Sequence, residues 1–136
     1  MSKGNTTEND VLALLFKGTA LPWAAVTDLY LALHTADPGE AGDQTTSEAT
    51  YTSYARIGIV RSAVGWTVAG NSSVNAALAQ FPACTGGTNT ITYVSIGTLS
   101  AGAGQIIYSG ALNSSLSVSN GIQPQFAAGA LAVTED

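Results

Sequence analysis

Apolar and polar positions along this chain follow two periods in turn. In the stretch TTENDVLALLFK, Leu12, Leu15 and Phe16 share one helical face, and Val11, Leu14 and Leu15 share an overlapping one. The flanks carry helix signals. Thr6 or Thr7 can accept from the free N–H groups of the first turn, and Glu8 and Asp10 place negative charge at the positive end of the dipole. Lys17 lies at the other end, and Gly18 can adopt the left-handed stop. The pattern predicts one short helix with more apolar surface than a narrow stripe on one sheet needs. Two destinations fit that surplus: the end of its own domain, or another chain.

Beyond the helix the period falls to two. In LYLALHT, Leu29, Leu31 and Leu33 alternate with Tyr30, Ala32 and His34, as the pleat of a strand requires. Asp37-Pro38-Gly39 supplies a turn, and the polar segment from Asp37 to Ser53 predicts a long loop. Further strands are predicted in YARIGIVR, WTVAG, SVNAALAQF, TITYVSIGT, GQIIYSGAL, SLSVS and GALAVTE. Gly70-Asn71, Gly86-Gly87, Gly102 to Gly104 and Asn120-Gly121 punctuate them. About eight short strands with such turns predict an all-β fold, an antiparallel sandwich or barrel, with a single short N-terminal helix. No alternating helices are available for a parallel sheet. The chain reads as one domain over 1–136, with a helix and arm over 1–28 and the β-sandwich over 29–136.

Composition narrows the picture. Charged residues are 10% of the chain and apolar residues 46%, so disorder is excluded. A low-charge β surface invites association, and self-association as a dimer, before a trimer, is the expectation. The net charge is −5, with only Lys3, Lys17, Arg56 and Arg61 as basic residues, which excludes a basic footprint for nucleic acid. The apolar run Val11 to Phe16 is too short to span a bilayer, and no basic segment precedes it as in a signal peptide. Synthesis in the cytoplasm and no membrane partner are the corresponding expectations.

Candidate chemistry is sparse. His34 is the natural general base, but no G-x-S-x-G elbow accompanies the serines, and the plainer reading places it at the solvent or subunit side of a strand. Cys84 has no basic neighbour in sequence to activate it, so it reads as a small buried apolar residue. One Cys and one His cannot make a zinc site. Asp37, Glu40, Asp43 and Glu48 lack the spacing of a calcium loop and read as solvated. Gly102 and Gly104 precede a strand rather than a helix, which removes the phosphate-loop reading. No catalytic residue, cofactor or metal is expected. Trp23, Trp66 and the tyrosines leave a sugar-stacking surface open, beside the plainer reading of core or interface aromatics. The residues expected to meet a partner are Leu12, Leu15, Phe16, Trp23 and Tyr51, the last two as exposed aromatics.

The order of the pieces carries a further signal. LYLALHTADPGE, the Tyr54 to Arg56 strand start, NAALAQFP and the closing FAAGALAVT together resemble a family of small tailed-bacteriophage structural proteins. Its members are often described as tail fibre proteins, and some resemble capsid cement, or decoration, proteins. The resemblance spans Leu29 to Asp136 and leaves out the helix and Trp23. It implies a jelly-roll-like sandwich and a non-enzymatic virion protein on the outer capsid surface. Such a protein would bridge subunits of the major capsid protein and stabilise the expanded shell. The alternative it implies is a tail-fibre or receptor-binding module that recognises host glycan. Asp37 to Glu40 would then be a recurring corner, and Arg56 is expected to pair with one of its carboxylates, an inference from its position alone.

Overall fold

A computed structural model describes residues 1–136. It contains ten strands and one helix: β1 (Ser2–Lys3), α1 (Asn5–Lys17), β2 (Asp28–His34), β3 (Ile57–Val60), β4 (Trp66–Ala69), β5 (Ser72–Asn75), β6 (Ala79–Gln80), β7 (Asn89–Gly97), β8 (Ile106–Val118), β9 (Gln125–Phe126) and β10 (Ala132–Thr134). All strand pairings are antiparallel. They form a five-stranded sheet in the order β1-β8-β7-β2-β3, a three-stranded sheet β10-β5-β4 and a two-stranded sheet β6-β9. The protein is therefore mostly β with one short helix. Its strands divide five, three and two, unlike the eight or so strands of a regular double-sheet jelly roll.

One core joins the three sheets. Leu31 of β2 lies opposite Ile96 of β7, and Leu33 opposite Val94, so the two central strands present one apolar face. Trp66 and Val133 of the three-stranded sheet, and Phe81 beside the two-stranded one, pack into the same cluster. Aromatic contacts thread through it: Tyr51 meets Tyr54 edge-on at 5.3 Å, and Phe81 lies between Tyr54 and Phe126 at 6.3 and 6.4 Å.

Several boundaries differ from the sequence reading, each for a local reason. GQIIYSGAL and SLSVS form the single strand β8. The break read between them is a bulge, where Leu112 to Ser115 stand against Thr92 of β7. SVNAALAQF divides into β5 and β6, because the Asn75 side chain bonds the carbonyls of Ala77 and Ala127 and turns the chain. β1 and β9 are two-residue pairings with no readable period. The helix begins without a threonine cap: Gly4 occupies the N-cap, while Gly18 closes the other end in the left-handed conformation (φ 65°). Thr7 turns inward instead. Its hydroxyl donates to the Ile106 carbonyl at 2.8 Å and accepts from Gln105 Nε2 at 2.9 Å.

Asp37 to Glu40 do form a corner. The Asp37 carboxylate accepts from the Gly39 N–H at 2.8 Å, and the Glu40 carbonyl accepts from the Asn5 N–H at 2.9 Å. Arg56 bypasses that corner and pairs with Glu48, further along the same loop. The loop folds back over the second face of the large sheet, which brings Glu48 rather than Asp37 or Glu40 to the guanidinium.

Candidate functional site

The most exposed apolar group on the molecule is the outer face of α1. Its inner side is fastened by polar contacts. Thr7 is buried against β8, and Gln105 Nε2 donates to Asp10 Oδ2 at 2.8 Å. The indole of Trp23 donates to the same Asp10 oxygen at 3.3 Å. These bonds hold the first half of the helix and turn the face bearing Leu12, Leu15 and Phe16 outward. Leu12 is 53% exposed, Leu15 68% and Phe16 81%. Their i, i+3, i+4 spacing makes them one contiguous patch.

Trp23 and Tyr51 fare differently. Trp23 is half-buried, and the Arg61 guanidinium stands 5.1 Å from the centre of its ring. Tyr51 was expected at the surface and is instead 3% exposed within the core. The cause is Asn89, whose side-chain carbonyl accepts from the N–H groups of both Thr50 and Tyr51 at 2.8 Å. That clamp ties the end of the loop to the start of β7 and directs the tyrosine inward, where its hydroxyl donates to the Pro82 carbonyl at 2.8 Å. Burial pushes the Tyr51 phenol up to about 12.

His34 is fully buried, contrary to the expectation of a solvent or subunit side. β2 lies inside the large sheet, and the loop after it covers its second face, so both sides of the strand are sealed. The imidazole bridges the two: Nδ1 donates to the Thr46 carbonyl at 2.8 Å, and Nε2 accepts from the Ser95 hydroxyl at 2.8 Å. The Thr46 carbonyl can only accept, which sets the tautomer. Burial holds His34 below the usual imidazole range, against the opposing effect of its hydrogen bond to the Thr46 carbonyl. Ser95 and His34 form a serine–histidine pair that no sequence motif announced. Both are fully buried, so no substrate reaches them.

Around this pair lies a polar cluster on the back of the sheet. Arg56 binds both oxygens of Glu48 and donates to the carbonyls of Leu99 and Gly102. Tyr54 donates from its hydroxyl to Glu48 at 2.9 Å and accepts from the Leu33 N–H at 3.1 Å; burial raises this phenol well above its ordinary value. Gln44 is fully buried, bonding Tyr30 and Leu99. A Cβ on Gly97 or Gly104 would fall 2.2 or 2.1 Å from the Gln44 side chain, so the glycines of GAG and IGT make room for it. Asp43 accepts from the N–H and hydroxyl of Thr45, and these bonds hold its carboxyl below the usual range. The loop carboxylates are thus dispersed among separate partners, and no three of His, Cys, Asp and Glu converge on one point. Cys84 is buried with its thiol toward the Gly86 carbonyl at 3.1 Å.

A second surface feature is a groove of about 650 Å³ where the three-stranded sheet overlaps the large one. Leu29, Ile96 and Tyr108 line one side, and Trp66, Val68 and Val133 the other. No helix is long and apolar enough to cross a membrane.

Fold and surface together define a β scaffold whose notable exposed chemistry is an apolar helix face, the profile of a structural protein. The chain matches, over residues 2–134, the family described as "Podophage GP4 fiber I protein gp80", and it belongs to that family of phage structural proteins. It is accordingly a virion protein, and the match takes in the helix and Trp23, which lay outside the resemblance read from the sequence. No curated protein matches it.

Proposed function

We propose that this chain is a non-enzymatic structural component of a phage fibre and that the outer face of α1 docks it onto a neighbouring virion protein. The observation that carries this reading is the coexistence of three exposed apolar side chains, Leu12, Leu15 and Phe16, with a helix fastened from behind by Thr7 and Asp10. A fixed apolar patch on a virion protein marks a protein–protein contact. The buried Ser95–His34 pair and the buried Cys84 support a non-enzymatic reading. Recognition of host glycan is less well supported, since Tyr51 and Phe81 are in the core and Arg61 covers Trp23.

A second reading uses the same surface: capsid cement, with a jelly-roll-derived sandwich on the outer capsid surface and α1 seated across subunits of the major capsid protein. It is favoured by the sequence resemblance over Leu29 to Asp136, whose family includes proteins similar to capsid cement proteins. Stoichiometry separates the two. Quantitative mass spectrometry of purified virions is expected to find copies in tens, as for fibres; one copy for every few major capsid subunits would overturn the fibre reading in favour of cement. Virions assembled with Phe16→Asp protein are expected to lose it, and normal incorporation would refute docking through α1.

A further inference from the structure

The groove between the sheets is walled by the inner faces of both. Its floor crosses three neighbouring strands of the large sheet, at Leu29 of β2, Ile96 of β7 and Tyr108 of β8. On the other wall Val68, Ser73 and Val133 stand directly opposite one another on β4, β5 and β10. Ser73 is the smallest of these six side chains, and the room it leaves belongs to a space of about 650 Å³, the size of a ligand site. Val68 is 73% exposed, so the space opens to solvent. Sheet faces form both walls, and the backbone ladders run within the sheets rather than toward the groove. A peptide lying there would bury its own N–H and C=O groups unpaired. A hydrocarbon chain has none to satisfy.

The two ends of the groove differ in charge. β3 and β1 are opposite edges of the large sheet, about 19 Å apart at four strand spacings. On the β1 side Glu135 is already paired with Lys3 at 2.9 Å, which neutralises that end. Just past β3, Arg61 lies in the lining, exposed and without a carboxylate partner. Its Nη1 donates to the carbonyls of Trp23, Ala24 and Val26, while Nε and Nη2 have no acceptor in the chain. The groove is therefore apolar along its length, with a single open cation at one mouth.

We propose that this groove binds a fatty acid, with the hydrocarbon chain between the two sheets and the carboxylate on Arg61. The free Nε and Nη2 are the two donors that a carboxylate engages in parallel. Apolar burial supplies the affinity, and Arg61 sets which end of the ligand lies at the mouth. Because Arg61 is exposed, its share is modest and weakens with salt. No residue of α1 lines the groove, so this site stands or falls apart from docking through the helix.

The test is titration calorimetry of the full chain with decanoate kept below its micellar concentration. Saturable binding of one molecule per chain is expected. Decanol, the same chain without the charge, is expected to bind about fivefold more weakly, and decyltrimethylammonium more weakly still. Arg61→Gln is expected to bring decanoate down to the level of decanol and to leave decanol unchanged. Ser73→Phe fills the groove and Val68→Asp places a carboxylate in it. Each is checked for folding by circular dichroism, and either one, once folded, is expected to abolish binding of both ligands. Phe16→Asp controls for adsorption on the helix face and is expected to bind as the native chain does. No saturable binding of decanoate, binding that survives Val68→Asp, binding lost in Phe16→Asp, or equal affinity for the ammonium analogue would each overturn the proposal. Co-flotation with phosphatidylglycerol vesicles that Val68→Asp abolishes would assign the groove to a membrane lipid and overturn the fatty-acid reading.

Discussion

Arg56 holds Glu48 through two parallel contacts, Nε to Oε1 at 2.6 Å and Nη2 to Oε2 at 2.8 Å. The arginine side chain is only 2% exposed and the glutamate 19%. A pair this secluded stabilises the fold only while both members are present, because a lone buried charge has neither water nor partner. Glu48→Ala should therefore destabilise the protein by about 3–5 kcal/mol. Arg56→Lys should recover little, since an ammonium cannot reach both Glu48 oxygens and the carbonyls of Leu99 and Gly102 at once. Urea unfolding checks both. A loss below about 1 kcal/mol for Glu48→Ala would mean that the loop relaxes and hydrates the arginine.

His34 links stability to pH. Its folded pKa lies below the unfolded value because burial disfavours the imidazolium. Between those two values the unfolded chain binds the extra proton and the folded chain does not, so stability falls as pH drops below about 6.5. The loss is at most about 1.4 kcal/mol per pH unit for this one group, and it stops once pH passes the folded pKa. Asp43 acts in a separate, lower window: its folded pKa is depressed, so its contribution is present above its ordinary value of 3.8 and is lost as pH falls through the folded one. Unfolding free energies measured from pH 7.5 to 5 should show the slope in the native chain and a flatter line in His34→Gln. Identical slopes in the two would assign the effect elsewhere.

How much of this was legible in the sequence depends on the range of the forces involved. Local pattern revealed α1, β2, β3, β4 and most of β7, because period and turn residues act within a few positions. The turn at Asp37 to Gly39 was equally local. The placement of His34 and Tyr51 was not, since each is decided by a distant group. The loop around Thr46 covers His34, and Asn89 redirects Tyr51. The partner of Arg56 depended on how that loop folds back. Gln44 gave no signal at all, although Gly97 and Gly104 together are the mark it leaves. The exposed face of α1 was visible as an apolar surplus, while its destination required knowing that Thr7 and Asp10 occupy the inner side.

Core and surface apolar residues should respond oppositely to truncation. Phe81 is fully buried between Tyr54 and Phe126, and Phe81→Ala should cost about 3–5 kcal/mol through lost burial and a residual cavity. Leu15→Ser removes a side chain that is 68% exposed and should change stability by less than about 0.5 kcal/mol. Thermal or urea unfolding of the two variants measures the contrast. A large loss for Leu15→Ser would show that the helix face is covered in the free protein.

The N-terminal segment divides at about the middle of α1, and the two halves should behave differently. Ser2 and Lys3 pair with Ser109 and Tyr108, and Lys3 also bonds Glu135 at 2.9 Å. Thr7 is buried and satisfies the Ile106 carbonyl. Past Asp10, every leucine and the phenylalanine of the helix is more exposed than buried or nearly so. Removing residues 1–18 as a block therefore strips an edge strand and an anchor as well as a docking face, and it should lower stability while leaving the remaining sheets. Thr7→Val isolates the anchor. It leaves the Ile106 carbonyl and the Gln105 amide each short of a partner, at a cost of about 1–3 kcal/mol. Its local signature is faster hydrogen exchange along α1, because a helix of this length has little stability without its tertiary contacts. Exchange in β2 and β7 should slow or quicken only with global stability. If α1 exchanges no faster in Thr7→Val than the sheet does, the helix is held chiefly by Asp10 and Trp23, and Asp10→Asn becomes the substitution that should release it.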